Sequence, residues 1–425
     1  MKRAGEGVNG RAETGTTAEA RAEARVGLAL AGGGLEGAVW EIGALRALDE
    51  ALEGIDLNDL HIYVGVSAGG FLAANLVNGL TTAQMCRAIV KHEPGEHPFI
   101  SETFLTPAFG VLGRSVARVP RLLYEALEKY LENPRDRSLI DSLTRLGRAL
   151  PVGVFDNEPI REYLESIYSR PGRSDDFREL RRPLRVVAVD LDAGEPVRFG
   201  EPGFDHVPIS RAVQASTALP VLYPPVEIEG RYYVDGVLVK TLHASVALDA
   251  GAELVVCINP IVPVDTRRAV EKGVMRRGRL IDRGWPSVMS QTFRTMIHSR
   301  LVAGLSSYQG RFGGADVVLL EPRRDDYRMF FNNIFSFASR RDVCEHAYQA
   351  TRRDLLRRRE ELEPLFARHG IRLRTDLLEE TERDLWETVG LTSEAEEPPA
   401  RPRQTVLSEL DSLLDRLESV VEQRA

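Results

Sequence analysis

The chain has 425 residues, 43% hydrophobic and 28% charged, an ordinary globular composition that excludes a fibre or a wholly disordered chain. Its formal net charge of −8 lacks the basic excess of a dedicated nucleic-acid binder. Three widely separated cysteines, Cys86, Cys257 and Cys344, with no CxxC or Cys/His ligand spacing, argue against a zinc or disulfide framework. No metal or cofactor is expected, and a reducing, cytoplasmic compartment fits.

Residues 1–24 read as a flexible polar arm with no apolar run of the secretory kind. Val26–Ala31 is a short apolar run that ends in glycines, as a buried parallel strand does. Ala38, Val39, Ile42, Leu45 and Leu48 then recur at helical spacing. Ile62–Val66 is a second strand candidate, followed by a helical stretch after Ser67. Two strand–turn–helix units in succession predict a parallel sheet covered by helices. The uncharged stretch from Leu60 to Cys86 is long enough to test as a membrane span. Its many glycines, asparagines and threonines weaken that reading.

Residues 92–182 carry charged helical patterns with no strong strand signal, and read as a helical insertion or cap. The apolar stretch Phe104–Gly113 within it fits either packing against the core or an interfacial lid. Strands are predicted at Leu184–Leu191, in a hairpin around Glu229–Gly230, at Glu253–Pro260 and at Ala315–Pro322. A helix from Arg340 to Phe366 closes a main domain that spans 25–391. Residues 392–404 read as a Pro-rich charged linker. In 405–425, Leu407, Leu410, Leu414, Leu417 and Val421 make an a/d stripe under three heptads long. A helix docked on its own domain and one pairing with a second copy fit equally well.

Three motifs carry chemistry. Gly65-Val66-Ser67-Ala68-Gly69 is a GxSxG match between a strand and a helix. A sharp turn there strains the serine backbone and leaves room only for small flanking residues. The helix N-terminus behind Ser67, beginning at Ala68, favours a developing anion. Gly32-Gly33-Gly34-Leu35-Glu36-Gly37 also lies between a strand and a helix, where glycines let backbone N–H groups face a ligand. Gly32, Gly34 and Gly37 satisfy the dinucleotide GxGxxG as well. That fold needs a carboxylate at the end of the second strand, which here ends at Ser67, while Asp56 precedes the strand. The third motif, Tyr233-Val234-Asp235-Gly236, taken alone, is a turn more often than a site.

In this order, the three motifs resemble the patatin-like phospholipase family. Ala215-Ser216-Thr217-Ala218-Leu219-Pro220, followed by Pro224-Pro225, is similar to that family's ASxAxP…P block. Val186–Phe199 and Ala247–Pro260 also resemble its conserved stretches, and the likeness spans about residues 25–325. The resemblance implies a three-layer α/β/α fold with a mainly parallel central sheet, here with a helical insertion and a C-terminal helical tail. It implies a lipid acyl hydrolase with a histidine-free dyad, the serine matching Ser67 and the aspartate Asp235. The oxyanion loop matches Gly32, Gly33, Gly34 and Gly37, with Ala68 as a further donor. The substrate implied is a lipid or acyl ester. Two positions depart from the pattern: Glu36 stands where the family usually has Arg or Lys, and Val237 alters the DG[GA] triplet. A carboxylate at position 36 facing inward would oppose an oxyanion, so a degenerate binding or scaffold protein is the alternative.

Two further readings follow from the residues. His298, His346 and His369 come after Asp235, the chain order of a conventional triad. The basic run Arg267–Arg279, followed by an amphipathic stretch from Trp285, suits peripheral contact with an anionic membrane surface.

Overall fold

The computed structural model describes residues 25–90, 106–107, 152–271, 280–326 and 337–391. The expected N-terminal arm (1–24), most of the insertion including nearly all of Phe104–Gly113, the basic stretch 272–279, the linker (392–404) and the C-terminal helix (405–425) lie outside them.

The apolar runs at 26–30, 62–66 and 254–258 form strands buried along their whole length. β1 (Val26–Leu30) leads through α1 (Gly34–Ala51) to β2 (Ile62–Val66), which runs into α2 (Ala68–Val77) and α3 (Thr82–Val90). After α4 (Glu158–Tyr168) come β3 (Leu184–Asp190), β4 (Glu195–Phe199) and α5 (Ile209–Ser216). A hairpin of β5 (Val226–Ile228) and β6 (Arg231–Asp235) precedes α6 (Ala244–Asp249) and β7 (Leu254–Ile258). The long α7 (Trp285–Arg311), β8 (Asp316–Leu320), α8 (Phe337–Arg357) and α9 (Arg359–Arg368) follow. The hairpin turns on Glu229 and Gly230, both at positive φ (52° and 77°), as a two-residue turn of the primed type requires.

One sheet runs β8-β7-β1-β2-β3-β6-β5, with β4 also paired to β3. The first four pairings are parallel, and those of β3 with β4, β3 with β6 and β5 with β6 are antiparallel. Alternate residues face opposite sides. Leu28, Leu30, Tyr63, Val256 and Ile258 pack with α1, α2 and α8 on one face. Ala29, Val64, Val66, Val255 and Cys257 pack on the other, against α6 and the Leu301–Tyr308 part of α7. The expected three-layer α/β/α fold with a mainly parallel sheet is the one found.

α1 lies between the sheet and α8, and Ala38, Val39, Ile42, Leu45 and Leu48 are all buried. A Cβ at Gly43 would strike the backbone of Cys344, so this glycine sets how closely α8 approaches. α4 buries Ile160, Leu164, Ile167 and Tyr168 at helical spacing and joins the main core rather than standing as a separate cap. Its Tyr168 hydroxyl donates to Asn75 of α2 at 3.2 Å, steadying α2 from behind. The helix expected over Arg340–Phe366 is two helices, broken at Arg358. There the guanidinium leaves the helix line to donate to the Leu319 carbonyl at the end of β8. The stretch Leu60–Cys86 folds into β2, α2 and part of α3, and no helix among the described residues is long and apolar enough to cross a membrane.

Candidate active site

The position of the site follows from the pairing of β3. One edge of β3 carries β4 along Val186–Asp190. The other edge is shared: β2 occupies it up to the pair Val66–Val187, and β6 occupies it from the pair Ala188–Asp235 onward. β2 and β6 therefore approach each other end to end along a single edge. The residue leaving β2 is Ser67 and the residue ending β6 is Asp235, so the two motifs meet although they lie far apart in sequence.

Ser67 is the strained residue between β2 and α2, with φ 52° and ψ −123°. Such a backbone costs a non-glycine residue about 1–3 kcal/mol. Its N–H donates to the Ser216 hydroxyl at 2.7 Å, and that hydroxyl donates onward to the Val187 carbonyl at 2.6 Å. Two buried hydrogen bonds at about 1 kcal/mol each are of the size needed to offset the strain. The glycines are dictated by close approach. A Cβ at Gly65 would enter the backbone of Gly69 and Gly70, and one at Gly69 would stand 2.5 Å from the Ala31 carbonyl oxygen. Gly69 instead donates its N–H to that oxygen at 3.0 Å, tying the start of α2 to the end of β1.

The glycine loop after β1 lies directly against the serine: a Cβ at Gly32 would be 3.2 Å from the Cβ of Ser67. Of the five expected donors, two are engaged elsewhere. Gly32 N–H donates to the Thr241 carbonyl at 3.3 Å, and Gly37 N–H to the Gly33 carbonyl at 3.0 Å. Those two glycines serve close packing, Gly32 against Ser67 and Gly37 against Pro260. Among the described residues, the amides of Gly33, Gly34 and Ala68 have no backbone acceptor outside the regular elements. Gly34 takes φ 60° with open space around it.

Asp235 is 2% exposed. Its Oδ1 accepts the Val237 N–H at 2.9 Å, and its carboxylate is a hydrogen-bond partner of the Ser67 side chain. Burial pushes the carboxyl up to about 7, against the lowering effect of those two hydrogen bonds. Its backbone N–H donates to the Ala218 carbonyl at 3.0 Å. The segment Ala215–Pro220 thus holds both halves of the pair, Ser67 through Ser216 and Asp235 through Ala218. Sequence reasoning noted the block but missed the role of Ser216. Gly236 allows the chain to leave β6, because a Cβ there would run into Val187 and Val66.

Four histidines follow Asp235, and three of them stand beside other acids. His346 pairs with Asp326, His369 with Asp316 at 2.8 Å, and His298 stands 3.5 Å from Glu321. His243 is buried, and burial holds it down to about 3, so its imidazole is neutral. No described group of three or more His, Cys, Asp or Glu could hold a metal ion. The three cysteines are free and buried.

Because the folded-state value of Asp235 lies above its ordinary 3.8, the native chain holds that proton more tightly than the unfolded chain. Stability therefore falls as pH rises from about 4 to about 7 and is level above. Asp235→Asn removes the ionisation and keeps an oxygen for the Val237 N–H. It is expected to stabilise the protein at about pH 8 by up to about 4 kcal/mol, with the gain vanishing toward pH 4. Thermal melts across that range check this, and a variant that melts lower than the parent at pH 8 contradicts a buried, ionised Asp235.

The family described as Patatin-like phospholipase matches residues 28–248, just over half of the chain. Among solved structures, the chain is similar to VipD from Legionella pneumophila, at 14% identity over 77% of this chain and 66% of that one, with a TM-score of 0.32. It is similar to the type III effector ExoU of Pseudomonas aeruginosa, at 14% identity over 77% and 52% of the two chains, with a TM-score of 0.29. A third is human GIVD cytosolic phospholipase A2 in complex with methyl gamma-linolenyl fluorophosphonate, at 14% identity over 56% and 40%, with a TM-score of 0.26. The chain spans less than two thirds of the length of each of these. With α1 through β6 inside the matched range, the chain belongs to the patatin-like phospholipase family.

Proposed function

We propose that the protein is a serine lipid acyl hydrolase whose catalytic domain spans residues 25–391, with Ser67 as nucleophile and Asp235 as general base. The observation that carries this reading is the meeting of a strained serine with a buried carboxyl raised to about 7. As Ser67 Oγ attacks the ester carbonyl carbon, its proton passes to Asp235. The carbonyl oxygen becomes an oxyanion held by the N–H groups of Gly33, Gly34 and Ala68, each donor of this kind contributing about 3 kcal/mol. The C–O bond to the alcohol then breaks, and the alcohol leaves with the proton from Asp235. Water repeats the sequence on the acyl-enzyme, giving up its proton to Asp235 and releasing the fatty acid and Ser67. A carboxylate raised to about 7 is a far stronger base than one at 3.8 and is still about half ionised at neutral pH.

Ser67→Ala and Asp235→Asn are each expected to lower ester hydrolysis by at least about a thousandfold while the fold persists. For the native protein, kcat/KM should rise with pH, reach half its plateau near 7 and level off above about 8, since the ionised form of Asp235 is the active one. Assays of purified variants on a soluble ester check both points; a variant that keeps its rate overturns the assignment.

We further propose a cytoplasmic protein that works peripherally at a lipid surface. α7 and the turn before it leave Ile281, Trp285, Val288, Phe293 and Met296 exposed. Trp285, Val288 and Met296 lie at helical spacing on one face of α7. Arg267 and Arg268 are exposed nearby in sequence, and exposed basic and apolar groups together suit an anionic bilayer. The same helix reaches the site, where Arg300 donates to the Leu238 carbonyl three residues beyond Asp235. Trp285→Ala should weaken co-sedimentation with phosphatidylserine vesicles several-fold without changing hydrolysis of a soluble ester. Undiminished co-sedimentation rules this surface out.

A further inference from the structure

Glu36 stands in the first turn of α1, two residues beyond Gly34, where the family resemblance leads one to expect a basic side chain. Its side chain is 18% exposed, and Oε1 is buried with no hydrogen-bond partner among the described residues. Oε2 lies 3.7 Å from Nη2 of Arg294, which comes from α7 and is itself 20% exposed. Burial raises Glu36 to about 7 although Arg294 pulls it down, and burial likewise lowers Arg294. Each charge is thus poorly solvated, and one left without the other would be costly.

Glu36 sits within about one helical turn of Gly33 and Gly34, whose amides are proposed to hold the oxyanion. An uncompensated carboxylate at that range would oppose the developing negative charge by roughly tenfold in rate. Docking of α7 does not depend on this contact. The Gln291 amide bridges the backbone N–H and carbonyl of Val264 at 3.0 and 2.9 Å, Arg300 holds the Leu238 carbonyl at 2.8 Å, and Lys240 holds the Tyr308 hydroxyl at 2.5 Å.

We infer that Arg294 is a positioning residue for the reaction, cancelling the field of Glu36 at the glycine loop and supplying from α7 the positive charge that the loop's own sequence lacks. This rests on the reading of Ser67 as nucleophile with the glycine loop as its oxyanion site. It also gives the unusual residue at position 36 a partner, so Glu36 need not mark a degenerate site.

The test is kcat/KM on a soluble short-chain ester at about pH 9, where Glu36 is ionised. Arg294→Gln should lose roughly tenfold, and Arg294→Lys, which keeps the charge, should lose less than threefold. The double variant Glu36→Gln/Arg294→Gln should return to within about threefold of the parent, a recovery that a merely structural arginine would not give. Glu36→Gln alone should match or exceed the parent, and it decides the matter if Arg294→Gln does not fold, because a tenfold loss there overturns the inference. So does an Arg294→Gln loss that the double variant fails to recover, or no loss at all. Hydrolysis surviving in Ser67→Ala, run alongside, instead overturns the nucleophile reading and the inference with it.

Discussion

One edge of β3 is occupied by two strands arriving from opposite directions, and the rest of the site is built on that arrangement. β2 leaves the edge at Val66, opposite Val187, and β6 reaches it at Asp235, opposite Ala188. Backbone pairing fixes both ends to within one residue, so Ser67 and Asp235 face each other without any long side chain having to reach. The Val187 carbonyl at the junction accepts the Ser216 hydroxyl, which in turn accepts the Ser67 N–H. A one-residue slip of β6 would turn Asp235 to the other face of the sheet. The hairpin at Glu229–Gly230, which sets the register of β5 against β6, therefore bears on the chemistry from a distance.

The same junction holds two unfavourable elements, a positive-φ serine and a buried carboxyl. Neither could persist on a loose loop. They persist because β1, β2 and β7 are buried on every residue, and α1 is held between the sheet and α8. On the proposed reading both elements serve the reaction: strain aims the hydroxyl out of the turn, and burial makes the carboxylate a better base. Asp235 then represents stability given up for basicity, in the manner of active sites whose residues break local rules.

Much of this frame was legible in the sequence, and the physics says which parts. Apolar runs bounded by glycines marked β1 and β2, and helical spacing marked the buried face of α1, because both signals are local. Ser67 stood out for the same reason, as a small-residue turn between a strand and a helix. Asp235 did not: an Asp-Gly is usually a turn, and only the resemblance singled it out, since its role depends on β6 pairing beside β2. Ser216 and Arg294 gave no local signal, the first sitting at the end of a short helix and the second on a helix far down the chain. Within the glycine loop, composition cannot tell a glycine that frees an N–H from one that permits close packing, as Gly32 and Gly37 do. At the break between α8 and α9, Arg358 meets the Leu319 carbonyl, a tertiary contact that no local pattern carries.

The central claim is that the Ser67 hydroxyl is made nucleophilic by Asp235. Intact-protein and peptide mass spectrometry after treatment with a fluorophosphonate tests it most directly, since the reagent bonds preferentially to an activated serine oxygen. The account predicts a single adduct on Ser67 in the native protein, and labelling slowed by orders of magnitude in Asp235→Asn. An adduct on another residue, or an Asp235→Asn variant labelled as fast as the native chain, would contradict it.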